Sequence, residues 1–129
     1  MTKQKCNDSF SPNKNLWLSV KKDIEAKIIT GEYAVGSKIP TIVEFGEQYN
    51  IGKTTVQKVI TALYDEGTIV KRVGSGCFVK PFVREKLLKR HKHEFEMYIS
   101  RALDEAFLLG LDEDYVRNLI DEKWKQHNK

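Results

Sequence analysis

The sequence has few of the residues that stabilise secreted or metal-dependent folds. Among its 129 residues only Cys6 and Cys77 are cysteines, and they form no CxxC pair. We therefore expect neither a disulfide framework nor a structural zinc site, and we predict a reducing cytoplasm as the compartment. No apolar run approaches the roughly 18 residues that a membrane span needs. The first residues contain no apolar signal-peptide core, so we predict no membrane association and no secretion.

Positive charge is in excess in only one part of the chain. The net charge is +4, with twelve Lys/Arg and eight Asp/Glu up to Pro81 and ten of each from Phe82 onward. Excess cationic charge favours a phosphate-bearing partner. The first 81 residues are therefore the part expected to meet nucleic acid.

The same part of the chain contains three helical patterns and then a hairpin pattern. Apolar spacing and the stop at Gly31 predict helices at about 16–30, 41–49 and 53–66, with a turn between the last two. Thr41 precedes Glu44 by three residues, which is the pattern of a capping box. Short β-prone runs at 68–73 and 77–80 flank Gly74-Ser75-Gly76, which predicts a tight hairpin.

This order of elements predicts a mainly α fold with a small β-hairpin wing, the winged helix-turn-helix. Its third helix is expected to enter the major groove of DNA. We predict three segments: a flexible N-terminal arm at 1–15, a winged DNA-binding domain at 16–81 and a helical dimerisation tail at 82–129.

The residues predicted to contact DNA have short hydroxyl, amide or cationic side chains. Lys53 can reach phosphate or a guanine edge, and Gln57 can pair with adenine at two points. Thr41 begins a helix, where backbone N–H groups attract phosphate, and the slim wing tip suits the minor groove. The full predicted set is Lys38, Thr41, Lys53, Thr54, Thr55, Gln57, Lys58, Thr61, Arg72, Ser75 and Gly76.

The tail has helical patterns at about 82–109 and 112–126. Apolar residues recur every seven positions in the first of them, and two helices of this length cannot bury enough surface alone. We therefore predict a two-fold dimer formed with the tail of a second copy. The predicted interface residues are Leu88, Phe95, Ile99, Ala102, Leu103, Ala106 and Leu109.

Patterns of catalysis and cofactor binding are absent from the sequence. No nucleophile and base stand in a known motif, and no glycine loop is built for a phosphate-bearing cofactor. His91 and His93 lie two apart on a predicted helix, so they face different directions and suit a shared metal poorly. We predict no enzyme, no cofactor and no metal.

The chain resembles the GntR family of bacterial transcription regulators over about 16–80. The shared motifs are I-x-x-G-x-Y-x-x-G-x-K-I-P at 28–40, T-T-V at 54–56, L-x-x-E-G at 63–67 and G-x-G-x-F-V at 74–79. The short tail with G-L-D-E-D-Y at 110–115 resembles the YtrA-like branch, whose tail dimerises. The family usually has arginine where this chain has Val43, Lys53 and Ser75. Lysine lacks the bidentate fork of arginine, so the resemblance implies DNA binding with partly different contacts.

The leading hypothesis is a homodimeric transcription regulator, a repressor, on a palindromic operator. A small effector of unknown identity is expected to act by changing the separation of the two reading heads. Two alternatives stay open: a winged-helix protein–protein module, and a nonspecific DNA-binding maintenance protein.

Overall fold

The computed structural model describes residues 12–128, which form five α-helices and one antiparallel β-hairpin. The helices are α1 (Pro12–Thr30), α2 (Ile42–Tyr49), α3 (Lys53–Asp65), α4 (Val83–Leu108) and α5 (Glu113–His127), and the strands are β1 (Ile69–Arg72) and β2 (Gly76–Val79). The mainly helical fold with a small hairpin, predicted from the sequence, is confirmed.

Helix α1 starts earlier than the sequence predicts. It begins at Pro12 and not at Leu16, so residues 12–15 are helical and do not belong to an arm. Proline fits the first turn of a helix because its missing N–H would have no intrahelical acceptor there. The remainder of the predicted arm, residues 1–11, lies outside the described residues.

The structure divides into two compact units, and the division follows Leu88. The sequence predicts a boundary after Pro81, but the first turns of α4 belong to the first unit. Val83 and Leu87 are buried in the core of that unit. Arg84 Nε donates to the Ile29 carbonyl oxygen at 2.5 Å, which satisfies one of the last carbonyls of α1 that have no intrahelical partner.

One apolar core holds the first unit together. Helices α1, α2 and α3 contribute residues at the three- and four-residue spacing that places side chains on one face. Phe45 of α2 packs edge-on against Tyr33, with ring centroids 6.3 Å apart. The buried members of this core from α1, α2, α3 and the hairpin are Val20, Ile24, Ile28, Phe45, Val56, Val59, Ile60, Leu63, Ile69 and Val79.

An ion-pair bridge fixes α3 against α1. Lys21 Nζ lies 3.2 Å from a carboxylate oxygen of Glu25 and 2.9 Å from one of Glu66, which follows the last residue of α3. The Lys21 and Glu25 side chains are almost completely shielded from solvent, so this pair is screened less than a surface pair. The bridge helps to set the direction in which α3 presents its outer face.

A second polar contact joins α1 to α2. The Tyr49 hydroxyl donates to Asp23 Oδ2 at 2.5 Å and accepts from Lys27 Nζ at 3.3 Å. Burial, together with the hydrogen bond to Asp23, raises the pKa of the Tyr49 hydroxyl. The phenol therefore keeps its proton and stays a donor to Asp23 throughout the neutral range.

The turn between α2 and α3 needs a close backbone approach. Asn50 adopts a left-handed conformation with φ 54°, and the N–H groups of Asn50 and Ile51 both donate to the Gly46 carbonyl. A Cβ at Gly46 would lie only 3.2 Å from the Ile51 carbonyl oxygen. Glycine at this position thus allows the tight angle between the two helices.

The second unit consists of the rest of α4 together with α5. Gly110, with φ 70°, follows the end of α4. The Asp112 side chain caps the start of α5 by accepting from the Tyr115 N–H at 2.8 Å. Among the described residues after Leu88, Ala106 is the only buried hydrophobic one. Large side chains remain exposed, with Phe95 at 61%, Trp124 at 69% and Phe107 at 81%. No helix in the described range combines the length and apolar character that a membrane span requires.

Candidate nucleic-acid interface

The start of α2 is closed by the capping box that the sequence predicts. Thr41 Oγ1 accepts from the Glu44 N–H at 3.1 Å, and the Thr41 N–H donates to Glu44 Oε1 at 2.8 Å. The hydrogen bond from the Thr41 backbone, followed by that from its side chain, lowers the pKa of the Glu44 carboxyl. The N–H groups of Thr41 and Glu44, at the helix start predicted to attract phosphate, therefore already donate to the two side chains of the capping box.

The lowered pKa of Glu44 makes the stability of the protein depend on acidity. A folded-state pKa below the ordinary 4.5 means that the unfolded chain binds the proton more tightly, so this contribution is complete above about pH 4.5 and is lost as the pH falls through the folded-state pKa. We expect the urea midpoint of the wild type to fall more steeply below that pH than the midpoint of Glu44→Gln. The glutamine keeps an oxygen acceptor without titrating, so parallel midpoints of the two proteins would contradict the capping role.

A groove of about 420 Å³ lies between the start of α2, α3 and the wing. The segment before α2 forms one side of this groove. It is held against the wing by an antiparallel β-bridge between Lys38 and Phe78 and by the hydrogen bond from the Ile39 N–H to the Cys77 carbonyl at 3.0 Å. We call it the wing groove. It is lined by Lys38, Ile39, Pro40, Thr41, Ile42, Val43, Lys53, Gln57, Ile60, Lys71, Gly76 and Cys77.

The wing groove brings together five of the residues predicted to contact DNA, and no acidic residue is among its lining residues within the described range. The five are Lys38, Thr41, Lys53, Gln57 and Gly76. Lys71 also faces it, with Nζ 4.8 Å from the centre of the Tyr64 ring. A concave surface with three cations and no acid attracts an anion.

A second groove, of about 610 Å³, lies on the other side of the outer face of α3. We call it the α1 groove, because Trp17 of α1 forms one wall. The Lys58 ammonium lies 4.6 Å from the centre of the Trp17 ring, a cation–π contact that restricts where this charge can go. The lining residues are Trp17, Lys53, Thr54, Gln57, Lys58, Thr61, Ala62 and Asp65.

Lys53 and Gln57 are the centre of the candidate interface, because they line both grooves. They lie four positions apart on α3 and therefore on one face of the helix. Thr54, Lys58 and Thr61 extend this face toward α1. Trp17 is the part of the surface that sequence reasoning missed, because its helical spacing indicates only a packing role.

Three predicted residues lie outside both grooves. Thr55 is half-buried on another side of α3. Arg72 stacks its guanidinium on Phe78, 4.6 Å from the ring centre, and Ser75 lies at the exposed wing tip. Arg72 and Ser75 can meet DNA only along the wing, and a contact from Thr55 stays a prediction.

The segment that carries α1, α2, α3 and the wing matches a known family. Residues 16–79 match the model described as bacterial regulatory proteins, gntR family. Residues 16–79 therefore form a gntR-family segment. The description of that family names regulatory proteins, the class that the sequence predicts. The GntR resemblance stated from the motifs is thus confirmed, whereas the YtrA-like branch stays a prediction.

Two curated relatives share this GntR segment. The uncharacterized HTH-type transcriptional regulator YurK of Bacillus subtilis (strain 168) is 35% identical over 83 residues, or 64% of this chain and 33% of YurK. The arabinose metabolism transcriptional repressor of Geobacillus stearothermophilus is 31% identical over 98 residues, or 75% of this chain and 27% of the repressor. The chain spans about a third or less of the length of these relatives.

Solved structures share the GntR fold. A GntR family transcriptional regulator from Listeria monocytogenes superimposes with a TM-score of 0.67 at 18% identity, over 88% of this chain and 98% of that chain. The crystal structure of AraR(DBD) in complex with operator ORX1 has a TM-score of 0.50 at 26% identity, over 61% of this chain and 92% of that chain. The winged helix-turn-helix fold is therefore confirmed.

Proposed function

We propose that this chain is a sequence-specific DNA-binding transcription regulator, a repressor, that binds a palindromic operator as a homodimer. The observation that carries the proposal is the position of Lys53 and Gln57 between two grooves on the outer face of α3. A helix that presents an amide and a cation to one side suits base edges in the major groove. Lys38 and Lys71 flank it and suit the phosphates.

The exposed apolar side chains of the second unit support the homodimer. Phe95, Ile99, Leu103 and Leu109 are all exposed on α4 or directly after it, although apolar side chains in a heptad pattern are typical of helix–helix interfaces. Leu88 belongs to the first unit and Ala102 is exposed; both stay in the proposed interface through their heptad positions. A two-fold dimer places two α3 helices on half-sites one helical turn apart.

The short two-helix tail also supports the YtrA-like assignment, which belongs to the proposal. The proposed site of action is the cytoplasm, where a bacterial chromosome is accessible. The proposal includes an effector that alters the distance between the two α3 helices and so the fit to both half-sites.

Competition between DNA duplexes tests this function. The protein would first be used to enrich duplexes from a random-sequence library, and the enriched duplex would serve as a labelled probe in fluorescence anisotropy at about 0.15 M salt, a physiological ionic strength. We expect the complex to resist a large excess of unrelated duplex, since specific binding is typically about 10³-fold or more tighter than nonspecific binding.

Two results of the competition would contradict sequence-specific binding. Equal competition by unrelated duplex, with a steep salt dependence, would favour the nonspecific maintenance protein. Absence of binding even at low salt would favour the protein–protein module. Sedimentation of the protein–DNA complex gives the number of chains per duplex, and one chain would remove the homodimer from the proposal.

A further inference from the structure

We infer that Val43 is a specificity-determining residue that packs on the 5-methyl group of a thymine in the operator. The inference rests on the proposed function and adds to it one base that the operator must contain. It is drawn from the place of an exposed apolar side chain within a groove whose lining also includes three lysines and the Gln57 amide.

Val43 lies in the first turn of α2 and is 66% exposed, yet it lines the wing groove. Its neighbours Phe45 and Ile42 are buried and half-buried, respectively. Val43 therefore takes part in the groove without being part of the core. Its exposure leaves apolar surface that a ligand in the groove can cover.

The side chains across the same groove restrict what that ligand surface can be. Lys53 and Gln57 border it from α3, where they suit base edges, so the strip of DNA facing Val43 is the adjoining part of the major groove. Among the base edges displayed there, the thymine methyl is the apolar feature, whereas the other positions are hydrogen-bond donors or acceptors.

Valine cannot hydrogen-bond to a base edge, so covering a polar edge with it costs free energy. The same contact with a methyl group removes apolar surface of both partners from water. Val43 should consequently favour thymine by attraction and disfavour adenine, guanine and cytosine by desolvation. Selectivity of this kind combines a favourable contact with a penalty for the wrong partner.

Single methyl groups of the operator provide the test. Each thymine of the enriched duplex is replaced in turn by deoxyuridine, which removes the 5-methyl group and keeps the base pair. For the wild type we expect one thymine per half-site at which the change weakens binding by about fourfold, the equivalent of one buried methyl group. For Val43→Ala we expect weaker binding to the thymine duplex and no further loss from deoxyuridine at that position.

Val35→Ala is the matched control, because Val35 is 43% exposed and lines neither groove. It should reproduce the wild-type response to every deoxyuridine. A thymine that remains equally sensitive in Val43→Ala would mean that another residue reads its methyl group, and this would overturn the inference. Insensitivity of the wild type at every position would overturn it too.

Failure of the inference is distinguishable from failure of the proposed function. If the proposed function is wrong, no duplex from the library resists competition, and this result precedes the deoxyuridine experiment. Thermal unfolding of Val43→Ala checks that a change in binding is not a change in folding, and an exposed valine predicts a midpoint close to that of the wild type.

Discussion

Replacing Lys53 with glutamate is expected to weaken binding of the enriched duplex by about a hundredfold or more at ~0.15 M salt. The change removes a cation from the point where the wing groove and the α1 groove meet. It also places an anion against phosphates or against acceptor atoms of the bases. Anisotropy titration of both proteins with the same labelled duplex measures the loss.

The matched control is Lys86→Glu, which makes the same change of net charge at an exposed position of α4 outside both grooves. Its affinity should stay close to that of the wild type. Titrations over a range of salt add a second readout, since each lost phosphate contact reduces the slope of log K against log salt by about one. If Lys53→Glu bound as tightly as Lys86→Glu, the outer face of α3 would not be the reading surface.

The double substitution Phe95→Asp and Ile99→Asp is expected to convert the protein into monomers. Both side chains are exposed on α4, and two carboxylates there would be buried unpaired in the proposed helix–helix interface, which strongly disfavours the dimer. Light scattering should give the mass of one chain instead of two. Affinity for the palindrome should fall by about 10² or more, because the second half-site is no longer bound in the same complex.

Phe82→Asp with Val35→Asp is the control for added acid on exposed apolar positions. Phe82 and Val35 lie in the first unit, so the dimer should persist in this variant. Circular dichroism of the test variant must keep its helical signal, because Ile99 also lines an apolar cavity between α4 and α5. A folded test variant with unchanged mass would place the interface elsewhere.

Features encoded by near neighbours in the sequence could be predicted. The capping box depends on Thr41 and Glu44 alone, and it forms as the spacing indicates. The positions of α2 and α3 follow from apolar spacing and from the turn at Asn50, and their ends agree with the prediction to within one residue.

Features that depend on distant contacts could not be predicted. The extension of the first unit to Leu88 results from Val83 and Leu87 entering a core built by residues far away in sequence. The contact between Lys58 and Trp17 joins α3 to α1 over forty-one positions. No local sequence pattern indicates such a pair, so the α1 groove could not be predicted from the sequence.

In the candidate interface too, local features could be predicted, whereas features that depend on distant contacts could not. Lys53, Gln57 and Lys38 were predicted from residue type and position, and the fold brings them to one groove. Thr55 is predicted from its short hydroxyl and its place in the T-T-V motif; it is half-buried in the structure, and its contact with DNA stays a prediction. Arg72 was chosen as a cation, and its stacking on Phe78 emerges only when the two strands pair.

The wing also determines which positions can be altered to obtain a new operator preference. Gly76 has φ 110°, and a Cβ there would lie 2.8 Å from Lys38 Cε, so any side chain would strain the backbone and push a cation out of the groove. Val43 and Ser75 are exposed and have ordinary backbone conformations. A library of variants selected for a new operator should therefore randomise Val43 and Ser75 and keep Gly76. Most substitutions at Gly76 would distort the wing.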